Sequence, residues 1–243
     1  MIDHALILHN APLNQDVWKM VLKTDLAKEA NCGQFVMAQV DGFFLRRPIS
    51  ISNVTEDTLT LVYKILGKGT EVMTHLKPGQ IMNLEGPLGT GFPVLENRKV
   101  LLLGGGVGVP PLLLTAKKLL EKGCDVRVAL GFNTKTDLFY SDEFEQLGLM
   151  PKIATMDGSI GIKGTVLDVL DPSDFEDVFV MACGPLPMLK AVQNTFKEGC
   201  ISLEARMACG IGACMGCVVP AYEGGSCRVC KDGPVFPLGK VVL

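Results

Sequence analysis

The spacing of apolar residues changes character along the chain. From Ala5 to about Val94, short apolar runs of strand type at 17–23, 34–37, 48–51 and 59–63 are rich in β-branched and aromatic residues. Gly, Asn, Asp and Pro punctuate them. This pattern predicts a closed or nearly closed antiparallel barrel, with one helical piece at 70–76. The turn-rich passage 86–92 is expected to close it.

From Val100 the runs become those of fully buried strands, at 101–103, 126–130, 152–155 and 178–182. Helical stretches fall between and after them, at 110–121, 142–147, 165–170 and 186–197. Such alternation predicts a parallel sheet with helices on both faces and ligands at the carboxyl ends of its strands. Beyond about residue 201 the chain is too short for a sizeable core of its own, so a metal staple is expected there. The division predicted is 1–97, 98–200 and 201–243, a β-barrel plus an α/β unit plus a small terminal domain.

Composition narrows the function. Hydrophobic residues make up 48% and charged residues 20%, with a formal net charge of −3 and no basic cluster, which argues against nucleic acid as a partner. The start of the chain lacks the pattern of a signal peptide, and the uncharged run 100–116 is broken by glycines and prolines, so neither export nor a membrane span is expected. A reducing cytoplasmic setting follows, where clustered cysteines more often bind metal than form disulfides.

Five of the nine cysteines, Cys209, Cys214, Cys217, Cys227 and Cys230, lie within 22 residues. The spacing C-x4-C-x2-C with a distant fourth cysteine is that of plant-type 2Fe-2S sites. Zinc more often pairs two short C-x2-C knuckles, and a disulfide knot needs an oxidising compartment. Cys209, Cys214 and Cys217 share one loop, and the spacing leaves the fourth place to Cys227 or Cys230. Small residues at Gly210, Gly212, Ala213 and Gly216 let backbone amides approach the sulfurs. Cys32, Cys124 and Cys200 stand alone, and His4, His9 and His75 have no ligand-like spacing.

Four further motifs suit anionic ligands. Arg46-Arg47-Pro48-Ile49-Ser50 places a guanidinium and a hydroxyl at a strand start, fit for a diphosphate or ribityl chain. Gly67-Lys68-Gly69-Thr70 offers free amides ahead of a helical segment. Gly104-Gly105-Gly106-Val107-Gly108 follows a buried strand, and Cys183-Gly184-Pro185 follows another at the same sheet edge. The glycine loop departs from the dinucleotide fingerprint, with Val109 where a small residue is required and no acidic residue ending the second strand.

In order and spacing, the Arg47 to Ser50, Gly69-Thr70, Gly104 to Pro110 and Cys183 to Met188 motifs resemble the ferredoxin-NADP reductase superfamily. The tail, Leu203 to Cys214 with Arg228-Val229-Cys230-Lys231-Asp232-Gly233-Pro234-Val235-Phe236, is similar to that of the electron-transfer subunits of NAD-dependent dihydroorotate dehydrogenases. That resemblance implies an FAD-binding barrel, an NAD-binding sheet and a 2Fe-2S domain facing an FMN-containing catalytic subunit, in a heterotetramer of two plus two. Carried over by position, Arg47, Pro48, Ile49, Ser50, Val62, Tyr63, Lys64, Gly69 and Thr70 would hold FAD. Gly104, Gly105, Gly106, Gly108, Cys183, Gly184 and Pro185 would flank the nicotinamide nucleotide. Cys209, Cys214, Cys217 and Cys230 would hold the cluster.

The implied activity is passage of electrons from dihydroorotate oxidation, in the partner, through cluster and FAD to NAD. No acid or base in this chain is assigned to it. A γ-type subunit of a cytoplasmic hydrogenase would share the flavin and nucleotide modules, and a redox sensor could use the cluster as a switch; the tail from Lys231 to Phe236 favours the first reading. Arg206, Arg228 and Lys231, with Met207, Ile211 and Met215, are expected to form a mixed docking face. With Lys135 the single cation of the 131–136 turn, NAD is expected over NADP.

Overall fold

A computed structural model describes residues 1–243. Six antiparallel strands close a barrel in the order β1 (Ile2–Pro12), β2 (Val17–Lys23), β5 (Thr58–Lys64), β4 (Arg47–Val54), β3 (Phe35–Ala38) and β6 (Ile81–Leu88). Alternation along β2 and β5 turns Met20, Leu22, Leu59 and Leu61 inward, where they are fully buried. The passage at 86–92 is strand as far as Leu88. Gly86 permits this, because a Cβ there would stand 2.8 Å from Val36 Cγ1 on the neighbouring strand. Helix α1 (Lys68–Thr74) follows β5 and starts two residues earlier than the expected 70–76, at the same length of seven residues.

The second unit is a seven-stranded sheet. Its order is β10 (Ile162–Lys163), β9 (Lys152–Thr155), β8 (Asp125–Phe132), β7 (Lys99–Gly105), β11 (Phe179–Cys183), β12 (Gly199–Ser202) and β15 (Val235–Pro237). All neighbours are parallel except β15, which pairs antiparallel with β12. Helix α2 (Pro110–Glu121) begins with proline at its first position and packs Leu112, Leu113, Ala116 and Leu119 into one core with the barrel, against β4. Helix α3 (Ser141–Glu145) is a single turn on that side. On the opposite face, α4 (Leu186–Thr195) buries Leu189 and Val192 in a second core with Leu101, Leu103 and Val180.

The helix expected at 165–170 is instead a turn. Asp168 accepts from the Thr165 amide at 2.6 Å and from its hydroxyl at 2.7 Å, which starts a helical turn, but Pro172 follows too soon for it to extend. The terminal segment contributes a two-stranded hairpin, β13 (Val218–Pro220) and β14 (Ser226–Arg228), and then β15. The expected boundary at 200/201 falls inside β12, and β15 ties the tail back to the sheet along that strand. No helix is long and apolar enough to cross a membrane.

Candidate functional site

The cysteine loop runs from β12 to β13 with Gly210, Gly212 and Met215 at positive φ, a shape that turns its backbone amides inward. Four sulfurs receive those amides. Gly212 N donates to Cys230 Sγ at 3.1 Å, Ala213 N and Cys214 N to Cys209 Sγ at 3.3 and 3.4 Å, Gly216 N to Cys214 Sγ at 3.4 Å, and Cys230 N to Cys217 Sγ at 3.4 Å. Cys227 Sγ receives none; it sits on β14 opposite Val219, packed on the edge of the second core. The geometry thus groups Cys230 with the loop and sets Cys227 apart.

Electrostatics fit a cationic centre. Burial opposes the Cys209 thiolate, but the amides of Cys214, Ile211 and Ala213 outweigh it and bring the thiol down to about 6. Burial and the adjacent Cys217 sulfur push Cys230 the other way. Two thiolates this close repel unless a metal charge lies between them, which is how thiolate sites couple metal binding to deprotonation. As the side chains stand, no three of them converge into a closed metal-holding group; pairwise links through backbone amides arrange them instead.

The loop is seated on the barrel. A Cβ on Gly210 would come within 2.7 Å of Met37 Cγ and 3.3 Å of Leu88 Cδ1, so glycine lets the loop lie against β3 and β6. Met37 pairs across β3 and β4 with Pro48, inside the Arg47 to Ser50 segment. The sulfurs and the flavin motif are therefore separated by little more than one strand. Arg228, expected as a free docking charge, is bound to Asp232 at 2.9 Å and to Gly212 O at 3.2 Å, so it braces the loop. Met207 packs on the second core, whereas Ile211 and Met215 are half exposed.

Around the barrel segment, two separate motifs meet. The Arg47 guanidinium lies 4.7 Å from the centre of the Phe43 ring and bonds Leu45 O, and a Cβ on Gly69 would fall 2.2 Å from Arg47 Nε. Thr70 Oγ1 accepts from Leu66 N at 2.9 Å and Gly67 N at 3.3 Å, fixing the turn into α1. Tyr63 is buried, and its hydroxyl donates to Asn10 Oδ1 at 2.9 Å while Asn10 Nδ2 donates to Met73 O and Leu76 O at 2.8 and 3.0 Å. Burial pushes this phenol up to about 12. Tyr63 and buried Val62 thus act as braces for α1 and the core, leaving Lys64 open to the cleft.

That cleft, about 700 Å³, lies between barrel and sheet at the carboxyl ends of the strands. Its walls include Lys64, Gly105, Gly106, Gly108, Gly184 and Pro185. Close approach of the two loops accounts for several of these glycines. A Cβ on Gly108 would stand 2.2 Å from Cys183 O, and Cβ atoms on Gly105 and Gly184 would stand 2.6 and 2.7 Å from Met188 Sδ. Gly104 faces the interior, where a Cβ would meet Val109 at 2.9 Å. Cys183 is sealed beneath the loops, its thiol pushed up to about 12 by burial.

Sequence reasoning missed two carboxylates on this cleft, Glu204 and Asp137, and a third, Asp157, beside the turn at its rim. Glu204 borders the cleft, open to it yet walled by protein, and desolvation raises its pKa. Asp137 and Asp157 flank the turn after β8, where Ser159 Oγ accepts from Lys135 N at 2.7 Å and donates to Asp157 Oδ1 at 2.7 Å.

Residues 204–242 match the family model of the iron-sulfur cluster binding domain of dihydroorotate dehydrogenase B, and residues 102–194 match the oxidoreductase NAD-binding domain. The dihydroorotate dehydrogenase B (NAD(+)) electron transfer subunit of Fusobacterium nucleatum is 44% identical over 250 aligned positions, covering 97% of this chain and 96% of the relative. The same subunit of Bacillus mycoides is 43% identical over 255 positions, with 99% and 98% covered. The chain belongs to this family of electron transfer subunits.

Among solved structures, an NADH-dependent reduced ferredoxin-NADP oxidoreductase described for flavin-based electron bifurcation superposes with a TM-score of 0.89 at 31% identity, covering 98% of this chain and 89% of the other. A ferredoxin NADP+ reductase from Neisseria gonorrhoeae with bound FAD and NADP has a TM-score of 0.66 at 18% identity, with 80% and 89% covered, and shares the fold. This electron transfer subunit therefore combines a reductase-type barrel and sheet with an iron-sulfur tail.

Proposed function

We propose that this chain carries electrons from a dihydroorotate-oxidising catalytic partner that holds FMN, through a 2Fe-2S cluster on Cys209, Cys214, Cys217 and Cys230, to FAD on the barrel and on to NAD in the cleft. The observation that carries this reading is the seating of Gly210 on Met37, which joins the sulfur loop to the strand beside Arg47 to Ser50. When bound, the cluster supplies one-electron transfer and the flavin couples it to two-electron hydride chemistry. The chain's own groups bind and orient. Backbone amides of the loop stabilise charge on sulfur, Arg47 and the Gly69-Thr70 turn offer donors to a diphosphate, and the Gly105 to Gly108 and Gly184-Pro185 loops shape the nicotinamide pocket.

The barrel within 1–97, the sheet from 98 through β12 and the tail that follows, which returns β15 to the sheet, divide these tasks in the order flavin, nucleotide and cluster. Asp137 and Asp157, beside a single free-standing Lys135, favour NAD over a nucleotide with a 2′-phosphate. Half-exposed Ile211 and Met215, next to the sulfurs, suit a partner-covered face, in a cytoplasmic assembly of two copies of each subunit. The test is reconstitution. The isolated chain is expected to carry FAD, iron and labile sulfide, and to oxidise NADH with artificial acceptors but not dihydroorotate. The FMN partner should reduce NAD only when this chain is bound. Coupling to NAD that persists without this chain would overturn the reading.

A further inference from the structure

We infer that Asn14, at the tip of the barrel's first hairpin, is a positioning residue for the pyridine nucleotide: its side-chain amide ties the barrel to the turn that rims the cleft. This rests on the cleft being the nucleotide site. Asn14 Oδ1 accepts from Asp16 N at 3.0 Å and Val17 N at 2.9 Å, which folds the tip and fixes the orientation of the amide. Nδ2 then points across the cleft mouth and donates to Asp137 O at 3.2 Å, joining residues 123 apart in sequence. Asn14, Asp16, Asn133 and Asp137 all line the cleft.

The Asn14 bond is the one hydrogen bond from the barrel to residues 133–137, the chain rejoining the barrel's core only from Leu138 onward. The Asp137 carboxylate accepts from the Thr134 amide and hydroxyl, both at 3.1 Å, and the Lys135 amide donates to Ser159. Those bonds shape the turn without fixing its distance from the barrel wall that carries Lys64. Other barrel-to-sheet links lie away from the cleft lining: Ser52 Oγ to Tyr140 Oη at 3.1 Å, Lys117 Nζ to Asn53 Oδ1 at 2.9 Å, and Lys19 to Glu143 at 3.7 Å. They join the two units, while the Asn14 bond sets the width of the mouth. A ligand that touches both walls binds more tightly when that width is fixed in advance, and the gain appears in binding rather than in the chemical step.

The experiment compares three variants of the flavin- and cluster-loaded protein in NADH oxidation with an artificial acceptor. Asn14→Asp keeps both acceptor bonds and loses the donor; Asn14→Ala loses all three without adding charge; Ser52→Ala loosens the two units away from the cleft. Both Asn14 variants are expected to raise the KM for NADH about fivefold, the worth of one neutral hydrogen bond. Their kcat should stay within about twofold, with visible spectra unchanged. Ser52→Ala should lower the melting temperature and leave KM alone. Unchanged KM in the Asn14 variants, a rise confined to Asn14→Asp, or an equal rise in Ser52→Ala would each overturn the inference while wild type still saturates with NADH. Failure of wild type to saturate would instead remove the nucleotide reading of the cleft, and this inference with it.

Discussion

The cysteine loop and the nucleotide cleft both sit at strand ends, yet residue identity in them is set by different forces. In the loop the side chains are the chemistry: four sulfurs accept backbone amides, and two of them crowd each other in a way that a metal charge relieves. In the cleft the absence of side chains matters most, because Gly108 and Gly184 let two loops approach to backbone contact. The sheet has a core of many side chains beneath it, whereas the tail between 203 and 234 adds to that core little beyond Leu203, Cys217, Val229 and Cys230 and builds none of its own. The loop should therefore depend on its metal, and the cleft on its packing.

The largest effect expected is on the sulfurs. Cys230→Ser should abolish the cluster's visible absorbance and speed hydrogen exchange across 209–228, while β15 stays protected through its pairing with β12 and FAD is retained. Cys227→Ser should keep the cluster, because that sulfur accepts no amide from the loop. Loss in both variants, or in neither, would erase the distinction between the two cysteines. Collapse of the sheet along with the tail would erase the contrast with the cleft.

A smaller effect separates two glycines. In Gly108→Ala the new methyl meets the Cys183 carbonyl at 2.2 Å, a backbone atom that cannot swing away, so a loss of about 2 kcal/mol with a raised KM for NADH is expected. In Gly216→Ala it meets Cys214 Sγ at 3.4 Å, an ordinary contact, and a change within about 0.5 kcal/mol is expected. Urea titration of both holo variants checks this. Equal losses would mean that packing governs the loop as much as the cleft.

These contrasts explain what was legible in the sequence. The iron-sulfur tail could be read because cysteine spacing is a contiguous, side-chain signal. The barrel and sheet could be read because β-branched runs such as Val17–Lys23 and a proline-led helix at Pro110–Glu121 follow local rules. The cleft was half visible. Its glycine loop stands out, but Asn14, Asp137 and Glu204 reach it from three different parts of the chain, and nothing local marks them. Position 165–170 misled because a Thr-Asp turn resembles a helix start.

The smallest effect concerns the sheet's opposite edge, which tests whether its stability is independent of both sites. Asp174 is inaccessible to solvent though close beneath the surface, and it pairs with Arg127 of β8 at 2.9 Å and with Lys152 of β9, which also binds Asp171 at 2.7 Å. Burial alone would raise its pKa, but hydrogen bonds from Lys152 and Arg127 and the Asp171 amide more than reverse this and hold it below the usual carboxylate range. A carboxyl depressed in the folded state stabilises above its unfolded pKa, near about 3.9, and that stability is lost as pH falls through the folded value. Asp174→Asn should thus cost about 1–2 kcal/mol at pH 7, less than a deep ion pair because Arg127 and Lys152 can return to water. The deficit should shrink as pH falls below about 4. Cluster absorbance and the KM for NADH should not change. A deficit that persists undiminished in acid would assign the loss to packing, and a bleached cluster would show that tail and sheet are energetically one unit.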